Sequence, residues 1–508
     1  MQISKRLVLT GALLSIAFII NAQTLEWGNK NKANSKWYSP TVLSEDGESV
    51  YSSYFDDDNI VIDKHDNKGN VVYSNEIILE KINGEKVSIE DIKFIKDKFI
   101  LFVSSYDDSQ DKAILYALFY SGKDGKKLGK EKKLIETPVE KEKRKGLFML
   151  KVSNDLSKIL ISHFAFYKKE GKIKDRYKLF DSEMNEIMEK TEVIAKKEID
   201  YKTGNYVIDN DGSIYFVKKM DSGESYIVSY DATKDYEKWE EEIDVTKLDR
   251  NQSVGFVKFA FDNNNDLIVA GICSEKKKDV KGAFKKYNEE INPLGAMYMK
   301  IDRKSKEIKV MKIHKFPIET IVKAKDYGFD EQSMHFTANN ELVFINEIFH
   351  IGESQKMRFY TDAELIVAKF SSEGDFLWSN IIPKVQISTK MISAGFKIGP
   401  SFVNIQYFGY VSGINNNKLF IAYNDNPKNL NLKNRKDVAP LQNRNKSIPV
   451  LYTIDLSTGK TEMKQFYDPK QIDTYIKTRV CFQKDYKSDI VSIAQNDGYY
   501  QIVRVKLN

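Results

Sequence analysis

Cysteine is nearly missing from this chain of 508 residues, which has two, and histidine (5), tryptophan (4) and proline (10) are scarce. Two cysteines cannot staple a small secreted scaffold, so stability has to come from a core. His65, His163, His314, His335 and His350 are scattered with no pair at metal-ligand spacing, and no metal or cofactor is expected. Helical periodicity is hardly seen, which excludes bundles and coiled coils. A glycine-rich phosphate loop, a GxSxG elbow and an HExxH motif are all missing. Neither sign of charge dominates, with 79 Lys+Arg against 73 Asp+Glu and a net charge of +6, so no nucleic-acid partner is expected.

The only long apolar run is at the start. Lys5 and Arg6 precede Leu7 to Ile20, and Asn21 and Ala22 follow. That order of charged, apolar and small residues is a secretory signal peptide, expected to span 1–22. The run is shorter than the ~20 residues that cross a bilayer as a helix, and no later run reaches that length. Export without a transmembrane anchor is therefore expected, to the periplasm, the outer-membrane surface or the medium.

What fills the remainder is repetition. Seven times an alternating apolar run ends in a turn and a second short run follows, as in IVIDKHDNKGNVVYSNEII from Ile60, LIVAKFSSEGDFLWSNII from Leu365 and VLYTIDLSTGKTEMKQF from Val450. Asp63, Ser121, Asp181, Asp231, Asp302, Ser371 and Asp455 are expected to open these turns, because their side chains accept from the backbone just ahead. A second hairpin precedes each, with eight turns such as SEDGE at Ser44, DNNND at Asp262 and KDYKS at Lys484. Runs such as KFILFVSSY and ELVFINEIF have the Val, Ile, Phe and Tyr content of pleated, buried strands. Two hairpins per unit give four antiparallel strands, so the expected fold is an all-β, eight-bladed β-propeller. The blades are placed at about 40–82, 88–136, 147–195, 203–245, 256–315, 333–384, 401–468 and 477–508, in one domain over 23–508.

In the eighth unit, TRVCF and DIVSIA read as inner strands and YYQIVRVKL as the third, after which the chain stops with no outer strand. Residues 24–29 resemble an outer strand that precedes any blade. Pairing of 24–29 with 499–507 would close the ring and remove a bare sheet edge.

The turn-and-tryptophan pattern, FSSEGDFLWSN at Phe370 to Asn380 and NKGNVVYSN at Asn67 to Asn75, resembles the repeats of secreted bacterial β-propellers of the SBBP type. IDLSTGK at Ile454 to Lys460 is similar, more loosely, to the quinoprotein-like repeat of outer-membrane assembly propellers. The resemblance implies the fold and carries little about function. It brings no recognisable cofactor-binding cluster, which disfavours a quinone-dependent dehydrogenase.

In a four-stranded blade the first and third connections leave one face of the disc, here called the turn face. The second connection and the link to the next blade leave the other, the link face. Short connections fall on the first class, and the long ones, Glu275 to Leu294, Lys315 to Gln332, Gly352 to Thr361, Val385 to Pro400 and Asn424 to Ser447, fall on the link face of blades five to seven. Long loops on a rigid scaffold are where binding surfaces are carried. The candidate binding residues there are Lys277, Lys281, Phe284, Tyr287, Tyr327, Phe329, Phe359, Tyr360, Phe396, Arg435 and Arg444. Cations and rings so placed suit an acidic protein surface or an envelope glycan. The same positions also suit solvated loops and loop packing.

Asp262, Asn264 and Asp266 mimic the start of a calcium loop but lack its glycine and distant glutamate, and Asp56 to Asp58 form an acidic knot, so turns are expected at both. Cys273 and Cys481 fall on separate blades and should not be bridged. The expected role is a non-enzymatic binding or scaffold propeller of the cell envelope. The alternative is a carbohydrate-active enzyme, a glycosidase or lyase, on the same disc.

Overall fold

Each unit folds as the hydrophobic pattern dictates. The computed structural model describes residues 24–33, 40–56, 59–195, 206–220, 224–243, 252–275, 293–317, 328–354, 357–391, 405–432, 435–484, 487–496 and 498–507. They form eight antiparallel sheets of at least four strands, the blades of a ring. The middle strands are apolar on both faces because both faces are covered: Phe99 to Val103 in blade two are all 0% exposed. Each of the eight seams between neighbouring blades holds its own apolar cluster, including the seam that joins blade eight to blade one through Val42, Val50, Val491 and Ile493.

The outer hairpins turn where the side-chain chemistry places them. Ser121, Asp181, Asp231, Asp302, Ser371 and Asp455 each accept backbone N–H groups two to four residues ahead. Blade one differs, since its turn is opened by Asp66, which accepts from Lys68 N and Asn70 N. Asp63 lies inside the strand Asn59–Asp66 and is buried.

The two ends of the chain close the ring. Leu25–Trp27 is the outer strand of blade eight, with Leu25 opposite Val505 and Trp27 opposite Val503, and Asn31–Lys32 adds a second short pairing to the same strand. The closing strand also reaches blade one. Outer strands elsewhere hold the outer turn of the following blade: Asn75 Nδ2 donates to Asp124 O (2.9 Å), His314 Nε2 to Gly374 O (2.8 Å) and Asn380 Nδ2 to Gly459 O (2.8 Å). At the closure, Asn29 N donates to Lys68 O (2.7 Å) and Asn31 Nδ2 to Gly69 O (2.7 Å). The N-terminal segment thus does for blade one what the outer strands of blades one, five and six do for the blade that follows each.

Blade eight departs from expectation at its innermost strand. Of TRVCF, Phe482 bridges to Val491, but the innermost strand is Tyr475–Ile476, paired to Gln495 and Ala494. Beyond it the backbone is taken by the link into blade seven, because Arg479 N donates to Gln406 O (3.1 Å) and Thr478 Oγ1 to Phe408 O (2.7 Å). Cys273 is buried in blade five and Cys481 lies in blade eight, with no disulfide between them. No helix of the described residues is long and apolar enough to cross a membrane.

Candidate functional site

The described part of the link face is shaped by blade six. Its second and third strands, Leu342–Ser354 and Met357–Phe370, have 13 and 14 residues, where their counterparts in the other blades have 6 to 10. The segment from Gly352 to Thr361 is therefore not a loop but the end of a hairpin paired from Leu342↔Phe370 to Ser354↔Met357. A register shift between Glu347 and Phe349 marks where the hairpin leaves the disc. After the outer strand ends at Ile382, the chain returns as Gln386–Met391 and pairs along Met357 to Asp362. Gly328 and Phe329 pair with Phe349 and Ile348 on the other side. The result is a four-stranded platform raised on blade six.

A buried polar network holds the root of this platform. Glu347 at the register shift and Lys384 in the turn before Gln386 form an ion pair with both side chains 0% exposed. Lys384 Nζ also donates to Gln386 Oε1 (3.0 Å), which accepts from Gly409 N as well (2.9 Å). Gln386 Nε2 donates to Asn424 O (2.7 Å), and Asn424 Nδ2 donates to Tyr407 O and Ile476 O, which ties blades six, seven and eight together. Arg479 Nη2 lies 2.9 Å from Asp362 Oδ1 and 3.7 Å from Glu347 Oε2. Next to these groups burial pushes the Asp425 carboxyl up to about 6, against hydrogen bonds from Asn429 and Asn426 N that favour its anion.

The second connection of blade seven packs on the same root. Leu441 bridges to Gln386, Ile387 N donates to Leu441 O (2.8 Å) and Leu441 N to Val385 O (2.8 Å). Arg435 in this segment donates to Glu364 Oε1 of blade six (3.2 Å). Arg444 is buried, with Nη1 donating to Tyr407 Oη (2.9 Å). These two arginines, expected on a cationic rim, are built into the fold.

Of the other sequence candidates, Phe359 and Tyr360 are half-buried neighbours on the platform, opposite Thr389 and Ser388. Successive strand positions face opposite sides, so each surface of the platform receives one ring. Phe329 occupies a strand position at the platform root. Phe329, Phe359 and Tyr360 thus occupy strand positions of blade six, and Arg435 reaches that blade from blade seven through Glu364. Lys277, Lys281, Phe284, Tyr287, Tyr327 and Phe396 lie outside the described residues, as do Asp57 and Asp58. Asp262 is a turn residue as expected: it accepts from Asn264 N and Asp266 N, and Lys300 bridges Asp262 and Asp266 at 3.1 and 3.2 Å. Buried His163 and His335 are hydrogen-bonded, to Lys145 O and Ser412 Oγ. Among the described residues no group of three or more His, Cys, Asp or Glu is placed to hold a metal ion.

Sequence reasoning missed Glu347, Lys384 and Gln386. The signal was present, since Glu347 is a lone acid in LVFINEIF and Lys384 a lone base in IIPKVQI, each inside an apolar run. A charge that interrupts such a run is buried with a partner or marks its end.

No family model and no curated protein matches the chain. Among solved structures it is similar to the WD40 domain of SCAP from fission yeast, at 8% identity over 96% of this chain and 95% of that one, with a TM-score of 0.40. It is also similar to the polysaccharide lyase Uly1, at 10% identity over 82% of this chain and 90% of that one, with a TM-score of 0.38. A third is the apo prolyl oligopeptidase B of Galerina marginata, at 12% identity over 88% of this chain and 58% of that one, with a TM-score of 0.32. The class defined by the eight sheets is the β-propeller.

Proposed function

We propose that this protein is an exported binding propeller that captures a protein or a glycan of the cell envelope on the link face, with the blade six platform as its principal contact. One observation carries the reading: the paired strands of the platform run past the length of those in the other blades, and its root is fixed by a buried ion-pair network. A scaffold element that rigid and that long suits recognition. The charged and apolar order of residues 1–22 and the turn-and-tryptophan repeats support export. The enzymatic alternative needs a carboxylate open to substrate. Glu347 and Asp362 stand together at Arg479, but both are buried and held by cations.

The test uses capture from envelope extracts, quantified against a control on the opposite face. Changing Phe359 and Tyr360 together to Ser should reduce capture at least tenfold, while Lys123→Ser on the turn face leaves it unchanged. Equal capture by both variants would remove the platform as the contact.

A further inference from the structure

Four lysines in the described chain are less than a tenth exposed: Lys306, Lys369, Lys384 and Lys477. Three have carboxylate partners. Lys306 pairs with Asp231 (3.2 Å), Lys369 with Glu341 (2.8 Å) and Lys384 with Glu347. That is the ordinary condition for burying an ammonium, whose transfer out of water without a counter-charge is strongly unfavourable.

Lys477 breaks the pattern. It follows the first strand of blade eight, is 1% exposed, and its backbone is fixed by Lys477 N donating to Ile493 O (2.9 Å) and by Ser492 Oγ donating to Lys477 O (2.7 Å). Its ammonium makes no hydrogen bond or ion pair with a described residue. What lies near it is a ring and a second cation: Nζ is 5.7 Å from the centroid of the Tyr407 ring, and the Arg444 guanidinium carbon is 4.9 Å from the same centroid. Burial, with Arg444 adding to it, holds the Lys477 ammonium well below its usual range.

We infer that Lys477 and Arg444 form a binding site for a small oxyanion, a carboxylate or a phosphate group, at the seam between blades seven and eight on the link face. The site sets a buried lysine amine and an arginine at one aromatic ring, in surroundings where a charge-assisted hydrogen bond is strong. Arg444 and Asn445 belong to a short helical turn, Arg444–Lys446, and the Tyr475 hydroxyl donates to Asn445 O at the surface (3.2 Å), so this side of the site adjoins solvent. The inference does not depend on the platform being the contact for a larger partner.

Thermal denaturation of the full chain in inorganic phosphate and, separately, in acetate tests it, against sodium chloride at matched ionic strength. At least one oxyanion should raise the midpoint in a saturable way that chloride does not reproduce. A response to phosphate alone assigns a phosphate group, a response to acetate alone a carboxylate, and a response to both the shared oxyanion chemistry. Lys477→Met should lose at least 30-fold in oxyanion affinity and, without oxyanion, melt no lower than the wild type, because methionine fills the space without a charge. Arg444→Gln provides a second variant, expected to weaken binding at least tenfold. The inference is overturned if neither oxyanion stabilises the wild type, or if Lys477→Met responds as the wild type does. If Lys477→Met does not fold, a wild-type response from Arg444→Gln overturns it.

Discussion

Removing one charge from the Glu347–Lys384 pair probes how the platform is held. Both side chains are fully buried, so the loss is governed by the charge left behind. Lys384→Met leaves Glu347 with Arg479, 3.7 Å from its second oxygen, as partial compensation. The cost should then sit near the lower end for breaking a buried pair, about 3 kcal/mol. Glu347→Met leaves Lys384 hydrogen-bonded to the amide oxygen of Gln386 at 3.0 Å, a neutral acceptor, with no carboxylate in its hydrogen-bond shell among the described residues, and should cost about 5 kcal/mol. The double variant retains the Arg479–Asp362 pair and replaces the rest by apolar atoms of similar volume, so it should return to within about 1 kcal/mol of the wild type. For a cooperative unit of this length 1 kcal/mol moves the midpoint by roughly 1 °C, which calorimetry resolves. Hydrogen exchange should localise the effect, with faster exchange at Ile387 to Met391 in both single variants and near-native exchange in the double. Single variants that each lose less than about 1 kcal/mol, or a double variant whose loss is the sum of the two, would refute the reasoning.

Two further expectations concern the ring and its response to acid. A Cβ on Gly28 would meet Lys68 O at 3.0 Å, Gly69 Cα at 3.1 Å and Ile502 O at 3.2 Å, all backbone, so Gly28→Val should pry the closing strand from blade one and lower the melting midpoint by several degrees. Gly498→Ala, with nothing within 4 Å of its Cβ, should leave the midpoint unchanged, and equal effects would deny the closure a role in stability. His65 is buried against Tyr500, and burial lowers its pKa to about 4 from 6.5. The unfolded chain therefore binds a proton between those values that the folded ring refuses, and stability is lost as pH falls from about 6.5 to 4, by about 3 kcal/mol for this group. His65→Gln should flatten the decline of the midpoint across that window, and an unchanged slope would show that other groups carry it.

The ring was legible because two independent local signals repeat. Asp and Ser at the start of each outer turn bind the backbone ahead, and the strands between are apolar on both faces, which only a sheet covered on both sides permits. In blade one two aspartates three residues apart compete, and Asp66 is the one that follows the register shift which also precedes Asp181, Asp302 and Ser371. TRVCF alternates like a strand, yet the partner for Arg479 N is the link at Gln406, which no local pattern discloses. The platform was unreadable for a further reason. From Gly352 to Arg358 the sequence has one large apolar residue, Met357, so it lacks the alternation that reveals a half-buried strand. Phe359, Tyr360 and Arg435 were found by residue type and position, whereas the pairing of Glu347 with Lys384 required the fold.

The pairing of Leu25 with Val505 sets an order on biosynthesis. Val505 is made 480 residues after Leu25, so Leu25 and Trp27 stay without their strand partner until the blades between have been synthesised. Assembly is thereby committed to a slow kind of contact, one between residues far apart in sequence. Whatever protects the nascent chain has to shield Leu25 and Trp27 until then.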